Sequence, residues 1–273
     1  MRRCLLVVLA ACGAPVPRSP TPALPLDTDT SSARELRASL ERMHIVLEWR
    51  DGDTTALQTP ACRDLSAGGS CVTCDLVGEH DLDPLAFTTI AEAFARYPAE
   101  VIAASRIERV SLCRNITSAS LEPKEYGGLA ENATHRMLIG ADPHTPASEF
   151  ERVVHHELYH LVEFAHQPDL QADDPEWAHA NPDGFTYPGT RSQPVPGFAD
   201  GYALTNAVED RASTYELVMT DADDMCARST KEAGLRRKLE IVWDRMAGIA
   251  GDGYLRARAP CLSDAIGNNS SSR

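Results

Sequence analysis

His156-Glu157-Leu158-Tyr159-His160 is the stretch on which the reading of this chain turns. Two imidazoles four residues apart stack on one face of a helix, where both can reach a single ion such as zinc. The glutamate between them stands where a base is needed to take a proton from water as that water attacks a carbonyl. Val153, Val154, Leu158, Leu161 and Val162 supply the apolar side of an amphipathic helix, as a buried active-site helix requires. Ser148 can cap that helix, Glu149 and Glu151 suit its positive end, and the pattern runs to about Ala165. The expectation is a zinc site with His156 and His160 as ligands and Glu157 as general base.

A catalytic zinc takes three protein ligands and keeps one position open, so a third donor must come from elsewhere in the chain. The best candidate is Glu209, near the start of a second expected helix running from about Asn206 to Met219. Small Ala212, one turn on, would let the two helices approach. His155 falls on a different helix face and reads as a packing residue. His44, His80, His135, His144, His166 and His179 are scattered without ligand spacing.

Outward from the motif the pattern is mixed. Ala33 to Arg42 reads as a short helix and His44 to Arg50 as a strand closed by Asp51-Gly52-Asp53. Asp83 and Pro84 open a helix carrying Ile90, Phe94 and Tyr97 at helical spacing until Pro98 stops it. Arg106 to Cys113 and His135 to Gly140 read as strands, and Thr230 to about Ala247 as a third late helix. Between Gln167 and Gly197 lies a stretch of Pro, Gly, Asp and Asn with isolated Trp177, Phe185 and Tyr187; a loop of that length is more often functional than idle. The fold class is α+β.

The 273 residues include 26 basic and 40 acidic side chains, a formal net charge of -14 that repels phosphate backbones and argues against nucleic acid as a partner. Arg2 and Arg3 precede an apolar run from Cys4 to Ala11, too short to span a bilayer but suited to a signal peptide, 1-11. Leu9-Ala10-Ala11-Cys12-Gly13 looks like a bacterial lipobox, with Cys12 as the lipidated residue. Residues 12-33 would then be a lipidated cysteine and flexible tether, 34-265 the folded domain and 266-273 a polar tail. Export, with a lipid anchor in a bacterial membrane facing the periplasm or the cell surface, is the expected location.

Six further cysteines remain: Cys62, Cys71, Cys74, Cys113, Cys226 and Cys261. An even count in an oxidising compartment suggests up to three disulfides among them, concentrated in the N-terminal part of the domain at about 34-80. The expected pairing joins Cys226 to Cys261 and cross-links the other four. Cys71-Val72-Thr73-Cys74 could instead be a redox pair or a zinc knuckle, but no second such pair follows.

With these residues set out, the chain resembles the gluzincins of the anthrax-lethal-factor-like type, and more closely the zinc-binding metallopeptidases of bacterial lipoproteins. The resemblance rests on the motif at His156, on Tyr202-x-x-Thr205-Asn206-x-x-Glu209 and on Glu209-Asp210-x-Ala212. It also takes in Asn181-Pro182-Asp183-Gly184-Phe185 with Tyr187, and Gly128-Leu129-Ala130 ahead of the strand at 135-140. It implies a zincin-like domain with a small mixed sheet, an active-site helix and a second helix bearing the glutamate ligand. It implies Zn2+ held by His156, His160 and Glu209, Glu157 as base, and Tyr202 as donor to the developing oxyanion. It further implies that the strand ending near Gly140 is the sheet edge, where an extended peptide could add. One departure stands out: relatives carry a glutamate where this chain has Ser213, an acid suited to orienting a metal-bound histidine. Either Asp210 takes that role or the support is weaker here.

The resulting expectation is a secreted, monomeric zinc metalloendopeptidase acting on peptide or protein substrates. The alternative is a catalytically weak zinc-binding surface lipoprotein that serves as a binding module.

Overall fold

Two left-handed backbone positions decide where the central strands begin. Arg106 (φ 53°) and His135 (φ 52°) lie in the region that strands do not use. The strands expected from Arg106 and from His135 therefore start later, at Arg109 and Arg136. The structure, a computed structural model, describes residues 31–49, 56–58, 72–78, 80–118, 127–171 and 173–259. The expected signal peptide, most of the tether, Cys12, the Asp51-Gly52-Asp53 turn and the polar tail lie outside these residues.

In chain order the elements are α1 (Ser31–Arg42), β1 (Val46–Glu48), β2 (Ala56–Gln58), β3 (Val72–Leu76), α2 (Pro84–Ala95) and α3 (Ala99–Ser105). Then follow β4 (Arg109–Ser118), β5 (Gly128–Glu131), β6 (Arg136–Gly140), α4 (Ala147–His166) and α5 (Pro175–Ala178). The chain ends its described part with α6 (Ala207–Thr220), α7 (Ala222–Ser229), α8 (Ala233–Ala250) and α9 (Gly253–Arg258). They fall into two units: one holds the residues up to Tyr97 with Arg106–Leu161, the other Pro98–Ser105 with the residues from Val162 onward. The boundary falls inside α4.

The first unit is built on a mixed sheet in the order β2-β3-β4-β6-β5, with β1 beside the start of β4. β4 runs parallel to β1 and β6 and antiparallel to β3, and β5 closes antiparallel onto β6. Among the described residues the edge is thus β5, not the strand ending at Gly140: β6 is covered on both sides, because the short loop at 132–135 turns the chain back against β5. Gly140 N donates to Gly127 O at 2.7 Å, which makes residues 127 and 140 a bonded pair. Antiparallel pairs alternate, so Gly128 and Ala130 turn their N–H and C=O groups away from β6.

Val72, Cys74, Leu76, Cys113, Ile116, Leu129 and Leu138 form an apolar core of this unit. Cys74 and Cys113 are joined by a disulfide across β3 and β4, beside the register shift between Cys74 and Leu76. Cys74 is therefore no partner of Cys71 in a metal knuckle. Asp83 caps α2, its carboxylate accepting from Leu85 N, with Pro84 at the first helical position as expected from the sequence.

The second unit is helical. α6 ends at Thr220, and Asp221 (φ -145°, ψ 55°) leaves the helical region before α7, so the expected helices of 206–219 and 230–247 are separated by a third that the sequence pattern did not mark. α8 ends at Gly251, which takes φ 77°. α6 is buried almost throughout, polar residues included. Arg211 on α6 forms a two-pronged ion pair with Glu163 and reaches Asp174 at 3.2 Å, which Arg245 also contacts at 2.9 Å. A planar guanidinium suits such forked pairing, and each buried charge has an opposite neighbour. Cys226 on α7 is disulfide-bonded; the expected partner, Cys261, lies outside the described residues.

Candidate metal centre

α4 is buried on every side from Val153 to Phe164, so the imidazoles of His156 and His160 are held in protein rather than in water. Their ring centroids lie 4.7 Å apart, nearly perpendicular, the arrangement that a four-residue helical step gives to two side chains of one face. His155 points elsewhere: its Nδ1 pairs with the Tyr97 hydroxyl at 2.5 Å, and Glu151 lies 4.0 Å from its Nε2. That is a packing role, as its helix face suggested.

Glu157, also buried, lies against the sheet edge. A methyl group built on Gly128 of β5 would come within 2.8 Å of Glu157 Oε1, so strand and carboxylate are in direct contact. The sequence gives no such signal beyond a glycine pair at 127 and 128.

Glu209 owes its position to a helix cap. Asn206 is extended, and its side-chain oxygen accepts from Val208 N at 2.9 Å and from Glu209 N at 3.0 Å, closing the first turn of α6. Tyr202 is held by a second turn of the same kind: Asp200 Oδ1 accepts from Tyr202 N and Ala203 N at 2.9 Å each, and Thr205 N donates back to Tyr202 O. Beside it the Gly201 carbonyl accepts from Ser192 N at 3.0 Å, an approach so close that any Cβ at Gly201 would meet Ser192 O at 1.8 Å. Asp200 and Gly201 were not singled out from the sequence, though an Asp-Gly pair is an ordinary turn signal.

His156, His160 and Glu209, all buried, offer one ligand atom each, and these three atoms lie within 4.8 Å of one another. Two imidazoles and a carboxylate make a donor set that zinc accepts, and three donors leave the open position that a catalytic ion keeps. The residues present therefore fit the ion. His44, His80, His135, His144, His166 and His179 are not among them.

Asp210 and Ser213 follow Glu209 on α6. Asp210 Oδ2 accepts from Trp177 Nε1 at 2.9 Å, Tyr187 Oη at 2.8 Å and Lys238 Nζ at 2.6 Å. Burial pushes the Asp210 carboxyl above its ordinary range and the Lys238 ammonium below its own, while their mutual attraction opposes both shifts. Burial and the Asp210 charge raise the Tyr187 phenol, which stays a neutral donor. Lys238 Nζ also stands 3.5 Å from the Phe198 ring centre. Trp177 and Tyr187 of the long loop, with Phe198 just beyond it, are thereby tied to the helix that bears Glu209. Ser213 Oγ is buried without a hydrogen-bond partner among the described residues. Cys62, Cys71 and Cys261 lie outside the described residues.

No protein-family model and no curated protein matches the chain. A solved structure similar to it is that of a "putative zinc-binding metallo-peptidase" from Bacteroides caccae, 13% identical, with a TM-score of 0.50 over 91% of this chain and 98% of that one. At so low an identity the likeness speaks for architecture alone. The chain has a mixed α+β, metallopeptidase-like fold and a buried His-His-Glu group that could hold a metal ion.

Proposed function

We propose that this protein is a zinc metallopeptidase of the gluzincin type, with His156, His160 and Glu209 as ligands, Glu157 as general base and Tyr202 as oxyanion donor. The observation that carries the reading is the convergence of the three buried donors within 4.8 Å. Bound there, zinc would supply Lewis acidity, polarising the scissile carbonyl and making a water acidic enough to attack near neutral pH. Glu157 takes that water's proton and passes it to the leaving amine. Tyr202 hydrogen-bonds the carbonyl oxygen as its charge grows, a contact of value because it strengthens only in the transition state. An extended peptide is the fitting substrate, adding along β5, where Gly128 and Ala130 direct their backbone groups away from the sheet.

Export and lipid anchoring at Cys12 belong to the same proposal. Their support is the signal-like N-terminus, the Leu9-Ala10-Ala11-Cys12-Gly13 segment and the Cys74–Cys113 disulfide, a bond suited to an oxidising compartment.

The test is metal content and hydrolysis of a peptide library by the zinc-loaded protein and its Glu157→Gln variant. Both are expected to hold one zinc per chain, with turnover in the variant lower by about 10²–10⁴-fold. Zinc at unit stoichiometry in a wild type that cleaves no peptide would leave a zinc-binding module in place of an enzyme.

A further inference from the structure

Gly128 sits where the edge of the sheet meets the proposed catalytic base. A Cβ at this position would lie 2.6 Å from Val153 Cγ1, 2.8 Å from Glu157 Oε1 and 2.9 Å from Glu157 Cγ, each closer than real Cβ contacts come. The backbone does not itself call for glycine. Among the described residues the glycines with positive φ are Gly184, Gly189, Gly197 and Gly251, whereas Gly128 lies in the regular register of β5, opposite Ile139. What requires glycine here is space, and the space is filled by the side chains of Val153 and Glu157.

We propose that Gly128 is a positioning residue for Glu157: the absent side chain on β5 forms the seat in which the Glu157 carboxylate is held, and any larger residue displaces that carboxylate. Two of the three close contacts are to Glu157, and Oε1 is the far end of a flexible side chain. Val153 is β-branched and stiff at χ1 inside a buried helix, so it yields less readily than the glutamate. A methyl group at 128 therefore pushes the Glu157 side chain, the more yielding of the two, while the 2.6 Å contact to Val153 opens by a smaller shift. The same contact places the base beside the strand that presents Gly128 and Ala130 backbone groups to a peptide, so base and substrate backbone are located by one element.

The inference rests on Glu157 being the base, and its test separates the two claims. Gly128→Ala is made in the full chain and loaded with zinc. Expected are one zinc per chain and kcat lower by about 100-fold with KM nearly unchanged. A crystal structure of the variant gives a readout that needs no turnover: the Glu157 carboxylate leaves its wild-type position while His156 and His160 stay. Glu157 unmoved, with kcat unchanged and the methyl accommodated by Val153, overturns the proposal. Should Gly128→Ala fail to fold, Gly128→Ala/Val153→Ala removes the 2.6 Å contact and leaves those to Glu157. That double variant is expected to keep the kcat deficit and the displaced carboxylate; full recovery of both assigns the contact to Val153 and overturns the proposal. A wild type that hydrolyses no peptide defeats the peptidase reading alone, since displacement or its absence in the crystal still decides Gly128.

Discussion

Lys238 Nζ and Asp210 Oδ2 meet at 2.6 Å with both side chains sealed from solvent. Neither charge has water to fall back on, and the lysine's other neighbours are the rings of Phe198 and Trp177. Such a pair gains little over an apolar replacement, but each member is costly to leave alone. Because Asp210 directly follows Glu209, the pair also fixes the first turn of the helix that carries the proposed third ligand.

Lys238→Met leaves the Asp210 carboxyl buried with only Trp177 and Tyr187 as donors. The expected loss is about 3–5 kcal/mol of unfolding free energy in urea titrations, and Asp210→Asn on top of it should restore part of the loss. The pH dependence has a defined sign. Burial already raises the Asp210 carboxyl, and removing the cation raises it further. The folded variant then holds a proton that the unfolded chain has released, so its stability should fall as pH rises above about 4. A variant whose deficit shrinks toward neutral pH would contradict this.

Asn206→Ala removes the acceptor for Val208 N and Glu209 N. The expected cost is about 1 kcal/mol, the usual value of a lost helix cap. Zinc affinity should fall as well, because the frayed turn is the one that holds Glu209. Asn206→Asp keeps an acceptor oxygen and should retain both. Competitive chelator titration together with thermal melts measures the two effects in one series.

The helical face of the HELYH segment was legible because spacing along a helix is a local property: four residues bring His156 and His160 together wherever the helix lies. Glu209 was legible as an acid near the start of a second helix, whereas the capping role of Asn206 shows only in the structure. Strand starts were misjudged at Arg106 and His135 because left-handed φ in non-glycine residues carries little sequence signal. The sheet edge was misjudged because strand order depends on pairing between distant segments, which periodicity does not encode. Lys238, Asp174 and Arg211 escaped notice because charged residues usually mark a solvated face, and only tertiary partners make them interior.

The Cys74–Cys113 disulfide closes a loop 39 residues apart in sequence and lies inside the apolar core of the first unit. Replacing both cysteines with alanine should lower unfolding free energy by about 4 kcal/mol, the loop-closure value for that span. Mass spectrometry of the non-reduced protein should find the corresponding linked peptide. Reductant should lower the melting temperature of the wild type and leave the variant's unchanged as far as this bond is concerned.

Cys12→Ala should abolish incorporation of labelled palmitate in a bacterial host and release the protein from the membrane fraction. The reason is covalent: acyl chains contribute about 0.8 kcal/mol per buried CH₂, and no described helix is long and apolar enough to cross a membrane in their place. Membrane retention of the variant would remove Cys12 as the anchor.

Glu209→Ala tests the ligand set most directly. His156 and His160 come from one helix and remain in place, whereas the variant loses the carboxylate and keeps only two donors of the three that converge within 4.8 Å. A third ligand contributes charge as well as geometry, so zinc affinity should fall by more than the roughly 10–100-fold that follows loss of a residue merely supporting a ligand. Chelation should also destabilise the wild type, since an ion bound at 100 times its Kd contributes about 2.7 kcal/mol to the folded state. In Glu209→Ala that increment should vanish: melting temperatures with zinc and with chelator should coincide at zinc concentrations that saturate the wild type. A variant that still gains stability from the same zinc would show that the ion is held without Glu209, and the two histidines would then need another third donor.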